Sequence, residues 1–451
     1  MINRDLDYII ENHFNISKTA LLLTGARETG KTYAIRKYAK KKNLDLIEIN
    51  FLEDTEASNI FKGVRNAKEI LQRISAWCNR SLQPGKTLIF FDEIQRCREV
   101  VTMIKFLVDD GTYNYALSGS LLGVELNDIR SVPVGYMAVE EVFPISFMEF
   151  SKALGVSDAI LESLRKSWKE QTEIDEVVHN SMMKILQLYL IVGGMPAVVQ
   201  CYLDTNDLMK VLIKQKEIVT LYRWDISQYD KDKKLNIKEI FDLIPSELDS
   251  KNKRFILKKL NERARFSRYE DAFLWLKDAG VALPTYNIEE PRIPLKLNEL
   301  RNLFKLFFND VGLLASQYAS GFAFKILSGE TTINFGSVFE NFIAQELKAK
   351  EYPLFYFNSK KQGELDFVIE DDGEVIPIEV KSGKDYERHN ALKNVMANKE
   401  YGIKKAYVFC QGNIKKENNV IYFPIYMVMF LRKEEKIPQS NIYKIDLAGL
   451  R

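Results

Sequence analysis

Gly25 to Thr32 reads GARETGKT: two glycines bracket four other residues and are followed by a lysine and a hydroxyl side chain. Glycine permits the turns that point successive backbone N–H groups inward at a helix N-terminus, where they cradle phosphate oxygens. In that reading Gly25, Ala26, Arg27, Glu28, Thr29 and Gly30 form the cradle. Lys31 reaches the β- and γ-phosphates of ATP, and Thr32 ligates Mg²⁺. Residues 86–95, KTLIFFDEIQ, supply the partner chemistry. Asp92 ends an apolar strand and would hold Mg²⁺ through water, and Glu93 beside it would polarise an attacking water. Hydrolysis, rather than binding alone, is the expectation. NYALSGS follows, and either Ser118 or Ser120 could sense the γ-phosphate; a turn satisfying its own backbone explains them equally well. Arg223, between Tyr222 and Trp224, reads as a nucleotide-sensing arginine or as half of a buried ion pair.

A second constellation lies near the other end. GELDFVI carries Asp366, and VIPIEVKSG carries Glu379 and Lys381 two apart. Alternation puts Glu379 and Lys381 on one face of a strand, with Ile378 and Val380 toward the core. Two carboxylates on adjacent strands repel unless a cation or a proton lies between them. Asp366 and Glu379 are therefore candidate ligands of a divalent ion. Lys381 would position a water or stabilise developing phosphorane charge. Glu340 lies next to the apolar face of the helical stretch FGSVFENFIAQELKAK.

These residues need elements to hold them. TALLLTG, LDLIEINF, LIFF, NYALSGS and GYMAVEEV read as strands, with a basic helix after the glycine loop; strand, loop, helix, strand is the context that a phosphate loop requires. From Ser151 to about Asp230 apolar residues recur at helical spacing, as in MMKILQLYLIVGG, where Gly193 and Gly194 stop one helix and Pro196 opens another. NIKEIFDLIPSEL, NKRFILKKLNER and RYEDAFLWLKDAG read as three helices, and VALPTYNI and LFKLFFNDVGLL as two strands, which predicts a winged helix. Its third helix holds three acids and two bases, a poor surface for phosphates. The last part reads helix, three strands, helix, strand.

Bulk composition excludes more than it selects. A net charge of +2 from 64 basic and 62 acidic residues gives no global attraction to nucleic acid, so a basic surface must be local. Four unpaired-looking cysteines and three histidines argue against disulfide scaffolds, zinc sites and His-based triads. MINRDLDYIIENHFN does not resemble a signal peptide, and IYMVMFL is too short to cross a bilayer. A cytoplasmic protein with no membrane partner is the expectation.

The glycine loop, FFDEIQ, LSGS, VFPISFMEF and YLIVGGMPAVV together resemble a family of prokaryotic AAA+ ATPases with a C-terminal domain of unknown function and nuclease-like fold. The resemblance covers nearly the whole chain. It implies an α/β architecture: a P-loop AAA+ parallel sheet domain (1–150), a helical lid (151–232), a winged-helix-like domain (233–320) and a PD-(D/E)xK nuclease-like domain (321–451). It also implies an extra strand between the phosphate-loop strand and the Asp92 strand, a homo-oligomer, and Glu340 as the residue that completes the ligand set of Asp366 and Glu379. Many members carry Gly-Arg where this chain has Gly135-Tyr136, so an arginine finger would have to come from Arg130 or Arg223. The expected function is ATP binding and hydrolysis with Mg²⁺, coupled to a Mg²⁺-dependent nuclease-like domain acting on DNA. The alternative is an ATPase switch whose C-terminal module binds a protein or nucleic acid without cutting it.

Overall fold

The structure is a computed structural model that describes residues 2–120, 135–228, 234–250, 253–260, 266–318, 321, 325–327, 335–383 and 385–433. After α1 (Asp5–Ile16), the chain runs β1 (Ala20–Thr24), α2 (Lys31–Lys41), β2 (Asp45–Asn50), α3 (Ala67–Cys78), β3 (Thr87–Asp92), α4 (Arg98–Asp110), β4 (Asn114–Ser118) and β5 (Met137–Glu141). The five strands form one parallel sheet in the order β2-β3-β4-β1-β5. β4 is the expected extra strand between β1 and β3. Every residue of β3 is buried, as a central parallel strand covered on both faces requires. Alternate side chains feed two cores: Ile89 and Phe91 join one, Leu88 and Phe90 the other.

Helices follow: α5 (Phe147–Ala153), α6 (Asp158–Glu170), α7 (Glu176–Val192), α8 (Pro196–Thr205), α9 (Leu208–Gln228), α10 (Lys234–Asp249) and α11 (Phe266–Asp278). Ser146 and Glu149 close α5 with a reciprocal capping box. Gly193, at φ +73°, ends α7, and Pro196 occupies the first turn of α8. A Cβ on Gly193 would overlap the Asp310 carboxylate, and one on Gly194 would overlap the carbonyl of Ile145. Asp310 accepts the Gly194 N–H at 2.6 Å. The double glycine is thus a joint where the strap leaving the parallel sheet, the lid and the later chain meet. Among the described residues no single helix is long and apolar enough to cross a membrane.

The remaining elements are β6 (Ala282–Ile288), β7 (Glu299–Phe308), α12 (Val311–Ala315), α13 (Gly336–Ala349), β8 (Phe355–Ser359), β9 (Gly363–Asp371), β10 (Glu374–Val380), α14 (Asn390–Ala397), β11 (Ala406–Cys410), β12 (Lys415–Glu417) and β13 (Val420–Pro424). All eight strands form one sheet, ordered β12-β13-β11-β10-β9-β8-β6-β7. α13, β8, β9, β10, α14 and β11 follow the helix, three strands, helix, strand order read from the sequence.

The region 233–320 differs from its sequence reading. β6 and β7 do pair antiparallel, but β6 also pairs parallel with β8, with Tyr286 opposite Phe355, so the sheet runs across position 320. Among the described residues 253–260 there is only a single 3₁₀ turn, Leu257–Lys259, where a second helix was expected. Its backbone has other partners: the Phe255 N–H bonds the Phe304 carbonyl on β7 at 2.9 Å. The stretch NDVGLL, read as strand, is instead α12, capped by Asp310, which accepts the Leu313 N–H at 2.9 Å. The largest apolar core joins Phe147 of α5, Tyr189 of α7, Ile240 of α10, Phe308 of β7 and Phe342 of α13.

Candidate functional site: a phosphate loop and a carboxylate–lysine cluster

The loop Gly25–Gly30 leaves the C-terminal end of β1 and opens α2. Gly25 (φ +111°), Glu28 (+66°) and Gly30 (+91°) carry its left-handed turns. A side chain at Gly25 would overlap the carbonyl of Val142, so the close approach of the segment just after β5 also requires glycine. Lys31 is buried and donates to the carbonyls of Gly25 (3.0 Å) and Ala26 (2.7 Å). Burial pushes its ammonium down to about 8, with the Glu93 and Asp92 carboxylates opposing that shift. Thr29 is buried and donates to Ala26.

Thr32 Oγ1 donates to Asp92 Oδ2 at 3.0 Å, Asn50 Nδ2 reaches the same oxygen at 3.4 Å, and Ser118 Oγ donates to Asp92 Oδ1. Burial raises the Asp92 carboxyl above the usual range, and these hydroxyls work against it. Glu93 stands at φ +56°, where β3 ends, and its carboxylate takes Gln95 Nε2 and, at 3.5 Å, Ser120 Oγ. The two serines thus divide: Ser118 orients Asp92, Ser120 faces Glu93. A hydroxyl and a carboxylate already within hydrogen-bond distance suit an octahedral Mg²⁺ that keeps several waters, so this donor set fits the ion.

Arg27 pairs with Asp225 of α9 at 2.7 Å, and Tyr222 OH donates to the Arg27 carbonyl at 3.1 Å. The lid therefore grips the loop through Asp225 and Tyr222. Arg223 does not take part in this; its guanidinium pairs with Asp242 on α10 at 2.9 Å. That is an ion pair, about one third exposed rather than buried. Arg130 lies outside the described residues. Arg4 was not singled out by the sequence: it donates to the carbonyls of Thr29 (2.7 Å) and Phe143 (2.6 Å), tying the loop to the strap after β5. Arg4, Gly30, Tyr33, Ala34, Lys37 and Pro196 help to line a cleft of about 520 Å³ beside the loop.

The C-terminal cluster brings Glu340, Asp366, Glu379 and Lys381 together, and adds Lys253, Lys305 and Glu364. Lys305, on β7, is fully buried; its Nζ lies 2.8 Å from Glu364 Oε1, 3.4 Å from Glu340 Oε2 and 4.0 Å from Asp366 Oδ1. Lys253 pairs with the other oxygen of Glu340, and Lys381 with Glu379 at 2.7 Å. Asp366 Oδ2 accepts the Val380 N–H at 2.8 Å. Burial pushes the Asp366 carboxyl up to about 8, reinforced by the charges of Glu340 and Glu379. Burial also raises Glu379, with Lys381 opposing. Glu340 is held below the usual range because Lys305 and Lys253 outweigh its burial. Lys305 is held above its usual value because Glu340, Glu364 and Asp366 outweigh burial. Among the described residues no three acidic, histidine or cysteine side chains converge so as to hold an ion. Ammonium groups thus stand directly against Glu340, Glu364 and Glu379, while Asp366 is held by the Val380 N–H. Lys305 had one signal in the sequence, a lone cation inside the apolar run LFKLFF.

A parallel sheet with the glycine loop at the end of β1, Asp92-Glu93 at the end of β3 and helices packed on the loop is the arrangement of a P-loop AAA domain. Residues 17–151 match the family model described as an AAA domain. Two domains of unknown function match further on, DUF8612 over residues 183–322 and DUF4143 over residues 335–428. Comparison with curated proteins gave no match. Among solved structures the chain is similar to a Walker-type ATPase of Pyrococcus abyssi (15% identity, TM-score 0.42, 70% of this chain and 96% of that one). It is also similar to Cdc6p of Pyrobaculum aerophilum (13%, 0.24, 72% and 92%) and to the RuvB Holliday junction branch migration motor of Thermotoga maritima (15%, 0.28, 65% and 91%).

Proposed function

We propose that the chain is a Mg²⁺-dependent ATPase whose lid reports the nucleotide state to a C-terminal domain that binds a protein or nucleic acid without cutting it. The observation that carries the ATPase reading is the hydrogen bond between Thr32 and Asp92 directly behind a buried Lys31. When bound, Mg²⁺ would neutralise phosphate charge and orient the phosphates. Thr32 and Asp92 would hold it. Lys31 would exchange its two loop carbonyls for phosphate oxygens, and the α2 N-terminus would add N–H donors and dipole. Glu93, steadied by Gln95 and Ser120, would orient the attacking water and accept its proton. The cleft beside Gly30 has a volume within the range that suits a nucleoside.

Removing Lys31 takes charge-assisted hydrogen bonds from the phosphates, each worth ~1.5–3 kcal/mol. Lys31→Ala should therefore weaken ATP binding roughly 10-fold or more, read by titration of a fluorescent ATP analogue. Unchanged affinity would remove the loop from the site.

The C-terminal element order, with Asp366, Glu379 and Lys381 gathered, also supports a nuclease reading. Lys253, Lys305 and Lys381 on the carboxylates favour the binding role instead.

A further inference from the structure

The β6–β7 pair sits at the edge of the eight-stranded sheet, beyond the helix, three strands, helix, strand unit that gathers Glu340, Asp366 and Glu379. It delivers one side chain into that unit. Lys305 comes from β7, reaches past the edge and places Nζ among three carboxylates supplied by α13 and β9. No part of its side chain meets solvent. The Tyr356 ring lies 5.1 Å from the ammonium, on a further side. A compact point charge with three donors, surrounded by carboxylates at 2.8–4.0 Å, is what a bound cation would otherwise be.

We propose that Lys305 is a built-in counter-ion that takes the place of a divalent cation in this cluster, so that the C-terminal domain binds no metal there and cleaves no phosphodiester. The assignment deepens the reading of that domain as a binding module and is independent of the ATPase site. The other charges agree with it. Lys253 takes the second oxygen of Glu340, Lys381 takes Glu379, and the Val380 N–H takes Asp366. Four carboxylates thus face three ammonium groups and a backbone donor. Mg²⁺ or Mn²⁺ would have to displace the fully buried Lys305 ammonium, or bind beside that like charge; both are costly. Losing Lys305 would leave Glu340 and Asp366 with less compensating charge in a largely buried setting.

The test is Mn²⁺ binding by the full chain without nucleotide, counted from the free-ion paramagnetic resonance signal, for wild type, Asp366→Asn and Lys305→Met. The expected result is the same number of bound ions for wild type and Asp366→Asn, because the cluster contributes none. Lys305→Met, close in length and uncharged, should gain one ion, and the double variant with Asp366→Asn should lose it again. One ion more in wild type than in Asp366→Asn would overturn the assignment even if Lys305→Met failed to fold. A folded Lys305→Met with no extra ion would overturn it as well. DNA or RNA incubated with wild type in Mn²⁺ separates the two readings. A bound ion without cutting sinks only the role of Lys305. Cutting that Asp366→Asn abolishes sinks the binding-module reading too.

Discussion

Asp310 shows how much a single buried side chain decides here. It is fully buried, accepts backbone N–H groups from Gly194 and Leu313, and caps α12. Burial pushes its carboxyl up to about 6, and the backbone donors offset that only in part. An acid whose folded value is raised holds its proton more tightly when folded. Its stabilising contribution is therefore full below the unfolded value near 4 and is lost as pH rises through about 6. The change is on the order of 3 kcal/mol. Urea unfolding between pH 4 and pH 7 should show that loss in wild type, and Asp310→Asn should flatten the profile by a similar amount. Identical profiles for the two proteins would mean that Asp310 is ionised throughout. Lys31 has the opposite logic: burial makes its charge costly, and the nearby Asp92 and Glu93 keep it usable for phosphate.

The joint at Gly193-Gly194 depends on the absence of side chains, because two other segments occupy the space where Cβ atoms would lie. Gly194→Ala should destabilise the chain by more than ~2 kcal/mol, since the obstruction at Ile145 is backbone and cannot swing away. A chemical denaturation midpoint equal to that of wild type would show that the joint can relax. β1 and β3 were legible because each is a short, mainly apolar run that leads directly into functional residues, as LIFFD does. Helix α7 was legible from its apolar periodicity and its terminal glycines. The region 253–315 was not. Phe255 gives its N–H to β7, and β6 takes β8 as a parallel partner, pairings between residues far apart in sequence that no local pattern encodes. Asn309-Asp310 before VGLL is a helix-start signal, masked by the strand-like LFKLFF ahead of it. The facing of Asp366 and Glu379 could be read from strand alternation and that of Glu340 from the family resemblance, but Lys305 and Lys253 could not, since both enter from outside that unit.

Across the molecule, the two halves are built into each other. Glu346 on α13 accepts the Phe147 N–H at 2.9 Å, Gln345 donates to Tyr189 OH at 2.8 Å, and Tyr189 in turn donates to the carbonyl of Ile145. The strap leaving the parallel sheet thus ends on the C-terminal helix, inside the core that also holds the lid. From the other side, Tyr222 and Asp225 of the lid hold the loop at Arg27. One continuous set of contacts therefore joins the loop at Arg27, the helices that hold it and the core shared with the eight-stranded sheet. All of this presupposes that nucleotide is bound and hydrolysed at Lys31, Thr32, Asp92 and Glu93. The most direct measurement is steady-state ATP turnover of wild type and Glu93→Gln in Mg²⁺, with nucleotide affinity measured on the same preparations. The account predicts that wild type hydrolyses ATP, and that Glu93→Gln binds ATP as tightly but turns it over roughly 100-fold more slowly or worse, as loss of a general base requires. Equal turnover in the two proteins, or a folded wild type that binds no ATP, would contradict it.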